Sequence, residues 1–304
     1  MTGLALVFPG QGSQQPGMGA AWRTSEGWSV VDDVSEATGV DVARLLLHSD
    51  AETLRRTDLA QLSVFALSLV ALRTLRRMEP APVAFAGHSL GEYTALVAAG
   101  ALTVGDGARL VAERGAAMLV AARLRPGTMA VVVGAPDDGV AGIVAEAQAA
   151  GGEVWVANRN APGQITLAGT VEGIELVAAA VATVGAKMVS VPVGGAFHSP
   201  LMAPATSQLR AALGAARFAT VHAPVVSNVD AEAHDRGDVW PDLSLRQLTA
   251  PVRWVEVVGT LVDRLGCDRV VSVGPGKALT GMVRRIRPTV PVGSVTQPTG
   301  VVPV

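Results

Sequence analysis

The chain has 304 residues and a formal net charge of −2, from 24 basic and 26 acidic side chains. This near-neutral balance argues against a general nucleic-acid-binding protein, although it leaves room for a local basic patch. Cys267 is the only cysteine, which excludes an intrachain disulfide and any metal or redox site of the CxxC type.

The first residues predict no targeting signal. Residues 1–8 carry neither a basic leader nor an apolar region long enough for a signal peptide, and no segment reaches the roughly 20 apolar residues of a membrane span. We therefore expect a soluble, cytoplasmic protein that has no membrane partner. The length suits one large α/β domain, or a large domain with a smaller one.

A buried strand is predicted at residues 4–8, and it ends in a loop rich in glycine and proline, residues 9–17. The glycine spacing matches neither the dinucleotide pattern nor the P-loop pattern, so nucleotide binding is not indicated. Such a loop can present backbone N–H groups to a ligand. Further on, the near-continuous apolarity of residues 61–72 predicts a buried helix.

Residues 82–100 determine the functional interpretation. A short apolar strand ends at Gly87, Ser89 follows, and Gly91 precedes a helix-forming run. Glycines on both sides allow a sharp turn that exposes the serine hydroxyl near a helix N-terminus, as a nucleophile requires. The alternative is a glycine-rich turn with a capping serine. By strand alternation, His88 is expected to face away from Ser89.

The next predicted helix, residues 103–122, carries an arginine on its apolar face. Leu110, Arg114 and Met118 follow one another in steps of four. A guanidinium that faces the interior requires a partner, because an unpaired buried charge costs several kcal/mol. The spacing alone leaves open that Arg114 reaches outward or pairs with a structural carboxylate.

A compact module follows the break at residues 125–127 and ends at a second break, residues 192–195. Its predicted order is strand, helix, strand, strand, helix, strand, which is the ferredoxin-like arrangement. We therefore expect residues 126–193 to form a small ferredoxin-like α+β domain, inserted into a large domain of residues 1–125 and 194–304. The predicted elements are residues 128–133, 138–150, 153–157, 164–168, 171–184 and 186–191.

After the insert, the chain places a histidine in a loop before a helix. His198 stands among glycine and proline, where a side chain is free to point into a cleft. A single histidine is more often structural, but together with Ser89 it is a candidate base. A late strand at residues 269–273 completes an alternation of strands and helices, which predicts an α/β fold with a parallel sheet.

Seven segments, taken in order, resemble the motifs of the malonyl-CoA:acyl-carrier-protein transacylases and of the acyltransferase domains of polyketide and fatty-acid synthases. The resemblance covers nearly the whole chain and implies an α/β-hydrolase-like large domain with the ferredoxin-like insert. The segments are FPGQGSQ (8–14), GHSLGEY (87–93), RG (114–115), NAPGQ (160–164), GAFH (195–198), QLTAPVRW (247–254) and GPGK (274–277).

The resemblance implies transfer of a malonyl group from malonyl-CoA to the thiol of an acyl carrier protein through an acyl-serine, with ping-pong kinetics. It implies no metal and no cofactor, since the CoA thioester is a substrate, and a monomer is expected. The implied roles are nucleophile for Ser89, base for His198, oxyanion-binding N–H groups for Gln11 and Leu90, carboxylate binding for Arg114, and pocket lining for Asn160 and Gln247. The family orients the histidine through a backbone carbonyl near the Gln247 motif.

Several alternatives stay open. A serine hydrolase would require an acid between Ser89 and His198, and a scaffold that binds carrier proteins without chemistry would leave Ser89 unacylated. Ala117 and Leu119 depart from the usual pattern, which bears on the choice between malonyl and a branched malonate, whereas the GAFH segment favours malonyl. The pathway served is either fatty-acid or polyketide synthesis.

A basic run on a late helix suggests a docking surface for an acidic carrier protein or for CoA phosphates. An ordinary solvated helix face with charge that suits the helix dipole is the other interpretation. The run consists of Lys277, Arg284, Arg285 and Arg287.

Overall fold

Two β-sheets organise the computed structural model, which describes residues 3–75, 81–299 and 302–303. The extreme ends of the predicted large domain therefore lie outside the described residues. The larger sheet has seven strands, in the spatial order β11 (Val302–Pro303), β10 (Val292–Val295), β9 (Cys267–Val273), β1 (Gly3–Phe8), β2 (Pro82–Gly87), β7 (Val225–Val226) and β8 (Ala233–His234).

The centre of this sheet is parallel, as the alternation of strands and helices predicts. Strand β1 pairs in parallel with β2 and β9, and only the edge strands β8 and β11 run antiparallel to their neighbours. All six residues of β1 are buried, which is typical of a strand covered on both faces. The chain thus has a mixed α/β fold built on a largely parallel sheet.

Helices cover both faces of the larger sheet, and alternate residues of β1 enter separate cores. Leu4, Leu6 and Phe8 belong to one cluster, and Ala5 and Val7 to the other. The helices of this part are α1 (Ser29–Thr38), α2 (Val42–His48), α3 (Thr57–Thr74), α4 (Gly91–Ala98), α5 (Val104–Leu124), α8 (Thr206–Ala215), α9 (Trp240–Gln247), α10 (Trp254–Gly259) and α11 (Ala278–Ile286).

The smaller sheet has four strands, and each neighbouring pair is antiparallel. Helices α6 (Asp137–Ala149) and α7 (Val171–Thr183) share a separate apolar core with it. The predicted order of elements is observed between residues 128 and 191. The strands lie in the spatial order β4 (Val154–Ala161), β5 (Gln164–Gly169), β3 (Thr128–Val133) and β6 (Lys187–Val191).

Strand β4 joins the two sheets. It continues to Ala161, four residues past its predicted end, because its pairing with β5 extends to Ala161, and its second half also bonds to the loop before α10. Arg159 N–H donates to the carbonyl of Val252 at 2.9 Å, and Val252 N–H donates to the carbonyl of Ala157 at 2.8 Å. These bonds hold the end of β4 beside the carboxyl ends of the large-sheet strands, where α/β proteins place their sites.

No helix in the described part of the chain combines the length and apolarity needed to cross a membrane.

Candidate active site

Ser89 stands in a tight turn between β2 and α4, with φ of 52°. A Cβ at Gly87 would lie 1.9 Å from the carbonyl carbon and oxygen of Gly91, and a Cβ at Gly91 would lie 2.1 Å from the carbonyl oxygen of Phe8. Both neighbours must therefore be glycine, since any larger residue would collide with backbone. This strand–turn–helix geometry is a nucleophile elbow.

His198 lies against the serine. Its Nε2 is 2.6 Å from Ser89 Oγ, and its Nδ1 is 2.9 Å from the backbone carbonyl oxygen of Gln247. A carbonyl only accepts, so Nδ1 carries the hydrogen and Nε2 is left to accept from the serine hydroxyl. The partner of Nδ1 is thus a main-chain carbonyl, where the hydrolase alternative expects an acidic side chain.

The surroundings of His198 keep its imidazole neutral. Burial, followed by the positive charge of Arg114, lowers the pKa of His198 from its ordinary value of 6.5 to about 3. A neutral imidazole is the form that can take a proton from serine. The site therefore holds its base ready at any pH near neutrality.

Arg114 points into the interior from α5, with only 1% of its surface exposed. Its Nη1 donates to Gln61 Oε1 at 2.6 Å, and its Nη2 donates to Gln247 Oε1 at 2.9 Å and to Ser89 Oγ at 3.1 Å. The guanidinium carbon also lies 5.5 Å from the centre of the Tyr93 ring. The outward-reaching alternative is therefore wrong.

The partners of Arg114 within the described chain are neutral oxygens. No carboxylate of the described residues forms an ion pair with it, and its Nε has no hydrogen-bond partner there. A buried cation with a free donor beside a nucleophile is suited to bind an anionic group of a substrate.

The loop after β1 is pressed against the elbow. His88 N–H donates to the carbonyl of Phe8 at 3.0 Å, and a Cβ at Gly10 would lie 2.5 Å from the carbonyl oxygen of His88. Among the described residues, neither the N–H of Gln11 nor that of Leu90 has a hydrogen-bond acceptor. Gln11 lines the same cavity as Ser89, and Leu90 follows Ser89 in the chain, so both N–H groups are candidate donors for an oxyanion hole.

A cavity of about 430 Å³ opens over the serine, between the two sheets. Its wall contains Ser89, His198, Arg114 and Asn160, so these predicted residues come together around one space. The remaining wall is largely apolar and comes from α5, the small sheet, the segment that carries His198, and α11, through Met118, Met129, Val131, Val191, Phe197 and Met282.

Gln247 departs from its predicted role. Its side chain is fully buried and lies behind Arg114, outside the wall of the cavity. Its amide oxygen accepts from Arg114, and its amide nitrogen donates to the backbone carbonyl of Ser89 at 3.0 Å. The prediction that Gln247 lines the pocket is therefore corrected: the residue supports the groups that do.

His88 also differs from its expectation. It lines the cavity, and its Nε2 lies 2.9 Å from Asn160 Oδ1, while Asn160 Nδ2 donates to Thr166 Oγ1 at 2.9 Å. The alternation argument fails because β2 ends at Gly87, so His88 already belongs to the turn. The expectation that His88 faces away is wrong.

Three buried polar residues around the site were missed by reasoning from the sequence. Gln61 holds Arg114, and its position as an amide within an apolar helix was a usable signal. Glu92 and Asn228 are fully buried and hydrogen-bonded to each other and to the elbow. Glu92 is an acidic residue in the buried part of α4, and this combination was also a usable signal. No feature of the sequence around Asn228 indicates its place at the site.

The structure divides the predicted basic run. Arg287 pairs with Asp263, and Arg285 donates to Gln164 Oε1 and to the Pro162 carbonyl, both at 2.7 Å. Lys277 lies at the edge of the cavity and Arg284 is exposed on α11. Of the four residues in the run, only Lys277 and Arg284 therefore stay available to a partner.

A family model described as the acyl transferase domain matches residues 5–287 of the chain. The malonyl CoA-acyl carrier protein transacylase of Escherichia coli strain K12 is 38% identical over 304 residues, which cover 98% of this chain and 97% of that protein.

Solved structures agree with this match. The acyl-carrier-protein S-malonyltransferase of Burkholderia pseudomallei 1710b superimposes with a TM-score of 0.92 at 38% identity, covering 97% of each chain. A malonyl-transacylase solved in complex with its type II PKS acyl-carrier protein gives a TM-score of 0.92 at 34% identity, covering 97% of this chain and 96% of that one.

Proposed function

The chain belongs to the acyl transferase family, and from this premise we propose that it transfers a malonyl group from malonyl-CoA to the phosphopantetheine thiol of an acyl carrier protein. Such transfer supplies extender units for fatty-acid or polyketide synthesis. One observation supports malonyl-CoA as the acyl donor. Arg114, a buried cation with a free donor, lies 3.1 Å from the hydroxyl of Ser89 in the wall of one cavity.

In the first half-reaction, His198 Nε2 takes the hydroxyl proton as Ser89 Oγ attacks the thioester carbonyl. The N–H groups of Gln11 and Leu90 donate to the oxyanion that forms. When the carbon–sulfur bond breaks, His198 returns its proton to the departing CoA sulfur. The product is a malonyl ester of Ser89.

The second half-reaction runs the same steps with a new nucleophile. The pantetheine thiol of the carrier protein gives its proton to His198 as its sulfur attacks the ester carbonyl, and Ser89 regains a proton as it leaves. Because CoA leaves the enzyme before the carrier protein reacts, the kinetics are ping-pong.

Arg114 accounts for the choice of a dicarboxylic acyl group. Its free donors form a charge-assisted pair with the distal carboxylate of malonyl, and an acetyl group cannot make this pair. The apolar wall from Met118, Met129 and Phe197 leaves the rest of the acyl group without polar partners. We assign malonyl over a branched malonate on the GAFH form of the segment that carries Phe197.

The finer architecture belongs to the same proposal. Residues 1–125 and 194–304 form an α/β-hydrolase-like catalytic domain, and residues 126–193 form a ferredoxin-like domain inserted into it. The nucleophile elbow supports the first part. The antiparallel order β4-β5-β3-β6, with two helices in one separate core, supports the second.

We also propose that the enzyme works as a monomer in the cytoplasm, without nucleic acid or membrane as partners. The reaction as written needs no metal and no cofactor besides the CoA thioester that it consumes. No metal-binding group of three or more acidic, histidine or cysteine side chains occurs in the described part of the chain. Undiminished transfer after dialysis against a chelator would support the cofactor assignment.

Labelled malonyl-CoA tests the function directly. Intact-protein mass spectrometry should detect one malonyl group on the wild type and none on Ser89→Ala, and the group should move to a holo carrier protein. Arg114→Ala should lower kcat/KM for malonyl-CoA about a hundredfold, the loss expected for a desolvated charge pair, while acetyl transfer falls much less.

Two results would contradict the proposal. Label that persists on Ser89→Ala would place the acyl group elsewhere. Rapid release of free malonate in the absence of carrier protein would favour the hydrolase alternative.

A further inference from the structure

Glu92 is a buried acid for which the proposed reaction gives no task. It lies in the first turn of α4, has no exposed surface and does not line the cavity. Its Oε2 accepts the backbone N–H of Asn228 at 2.6 Å, and its Oε1 accepts Gln247 Nε2 at 2.8 Å. A buried carboxyl with two such bonds is retained only where its contacts repay its desolvation.

The bonds around Glu92 connect both halves of the site. Gln247 holds Arg114 through its amide oxygen, as described above. Asn228 Oδ1 accepts the backbone N–H of Ser89 at 2.7 Å, and Asn228 Nδ2 donates to the carbonyl of Gly87 at 2.7 Å. We call this set, Arg114, Gln247, Glu92, Asn228 and the Ser89 backbone, the Glu92 network.

The directions of these hydrogen bonds are set from both ends. Arg114 only donates, so Gln247 must turn its oxygen toward it and its NH₂ group toward Glu92. The backbone N–H of Asn228 also only donates. Both oxygens of Glu92 therefore face donors, which is the pattern of a carboxylate, since a protonated carboxyl needs an acceptor for its own hydrogen.

Burial, with a smaller effect from the charge of Asp230, raises the pKa of Glu92 to about 8, although the Asn228 N–H, the Arg114 charge and the Gln247 amide act in the opposite direction. Against this effect of burial, a donor faces each carboxyl oxygen, and these two hydrogen bonds favour the ionised form. Its negative charge balances Arg114 without touching it, because Gln247 lies between them. A direct carboxylate contact would occupy the donors that the substrate needs.

We propose that Glu92 is a positioning residue for malonyl selectivity: by fixing the orientation of the Gln247 amide, it aims the Arg114 guanidinium at the substrate carboxylate and leaves its donors free. This rests on the proposed function and deepens it. Through Asn228, the same carboxylate supports the elbow, which serves every acyl donor equally. The Gln247 branch reaches Arg114 and so bears on the donor's carboxylate, although Gln247 Nε2 also donates to the Ser89 carbonyl at 3.0 Å, a contact that every donor shares.

Glu92→Gln is the informative substitution, because glutamine keeps the size but offers one acceptor and one donor. Asn228 N–H and Gln247 NH₂ cannot then both donate to residue 92, and the Gln247 amide is held less firmly, by Arg114 and the Ser89 carbonyl alone. We expect the ratio of kcat/KM for malonyl-CoA to that for acetyl-CoA to fall about tenfold, as for the loss of one hydrogen bond to a charged group. Acetyl transfer should fall less.

Two further variants separate positioning from general damage. Gln247→Leu cuts the discriminating branch and leaves Glu92 bonded to Asn228, so it should lower the same ratio. The double variant should have no lower ratio than Gln247→Leu alone, because both changes act through one chain of bonds. Thr94→Val, which removes a fully buried hydroxyl without a partner from the same helix, is the matched control and should leave the ratio unchanged.

The outcomes are distinct. Equal losses for both donors would reduce Glu92 to a structural role, and a raised ratio would mean that the removed charge matters more than the orientation; either overturns the inference. Additive effects in the double variant would do the same. If Glu92→Gln does not fold, Gln247→Leu still tests the branch. Failure of the wild type to form a malonyl ester would instead contradict the proposed function itself.

Discussion

At the residue scale, the site depends on charges that are kept out of water. The proposed base, His198, is neutral because it is buried beside the cation of Arg114, and the same burial suits Arg114 to its proposed role as a ligand for a carboxylate. Arg114 also donates to Ser89 Oγ, which favours the developing serine anion. One guanidinium thus affects the base, the nucleophile and the substrate.

The pH profile follows from this arrangement. Because the pKa of His198 is lowered to about 3, kcat/KM for acetyl-CoA should show no acid limb near the ordinary value of 6.5. In Arg114→Ala the positive charge beside His198 is removed, so the pKa of His198 should rise. The acid limb of the kcat/KM profile should therefore move to higher pH. Steady-state rates between about pH 5 and 8 measure both profiles. A wild-type midpoint near 6.5 would contradict the neutral-base assignment.

The same shift affects stability, and its sign can be worked out. Between pH 6.5 and about 3 the unfolded chain protonates His198 while the folded chain does not. This residue therefore contributes stability that is present above pH 6.5 and is lost as pH falls toward 3. Circular dichroism at each pH must accompany the rate measurements, so that unfolding is not taken for titration.

At the element scale, close packing of the backbone determines the shape of the elbow as much as catalysis does. Strand β2, helix α4 and the end of β1 approach so closely that two glycines are the only residues that fit between them. This contact places Ser89 at the start of α4 and presses the Gln11 loop against it. The proposed oxyanion donors are both main-chain N–H groups, so their positions depend on this backbone packing.

Gly87→Ala tests this packing. The added Cβ would lie 1.9 Å from backbone atoms of Gly91, which cannot move aside without disturbing α4. We expect the free energy of unfolding to fall by about 3 kcal/mol or more, with loss of acylation. Urea denaturation and malonyl loading measure the two effects.

Gly142→Ala is the matched control, since a Cβ in this exposed part of α6 meets nothing within 4 Å. It should raise the free energy of unfolding by about 1 kcal/mol, the difference in helix propensity. Similar destabilisation by both substitutions would show that glycine loss as such, and not the elbow contact, is responsible.

At the scale of the whole molecule, the cavity exists because two sheets meet. The small sheet supplies one wall and the large sheet supplies Ser89, and the two are joined through Val252 and by Arg285, which reaches across to Pro162 and Gln164. Of the predicted basic run, Arg285 and Arg287 are thus used within the molecule. Lys277 lines the cavity and Arg284 is exposed on α11, so these two remain available to a partner.

Charge reversal at Arg284 tests docking. Arg284→Glu should raise KM for the carrier protein, and the effect should shrink as salt is added, because the group is exposed. Acylation by malonyl-CoA should be unchanged in the same variant. Arg44→Glu, an equal change at an exposed position of α2, which contributes nothing to the cavity wall, is the control. An unchanged KM would remove Arg284 from the docking surface.

The sequence by itself determined the features that depend on neighbouring residues. The order of elements between residues 128 and 191 follows from local periodicity and from breaks at proline and glycine. The strand, sharp turn and helix around Ser89 follow from two glycines at fixed spacing, and the place of Arg114 on the apolar face of its helix follows from its step of four with Leu110 and Met118, whereas its inward direction was left open. Each of these needs only a short stretch of chain.

The tertiary structure alone decided which distant polar groups meet. His88 enters the cavity because the strand ends one residue before it, and Gln247 lies behind Arg114 because its amide bonds to Arg114, to the Ser89 carbonyl and to Glu92. Asn228 and Glu92 are 136 positions apart and still share a hydrogen bond. Such pairings depend on how the sheet brings separate segments together. A hydrogen bond between two buried groups produces no periodic pattern in the sequence from which it could be predicted.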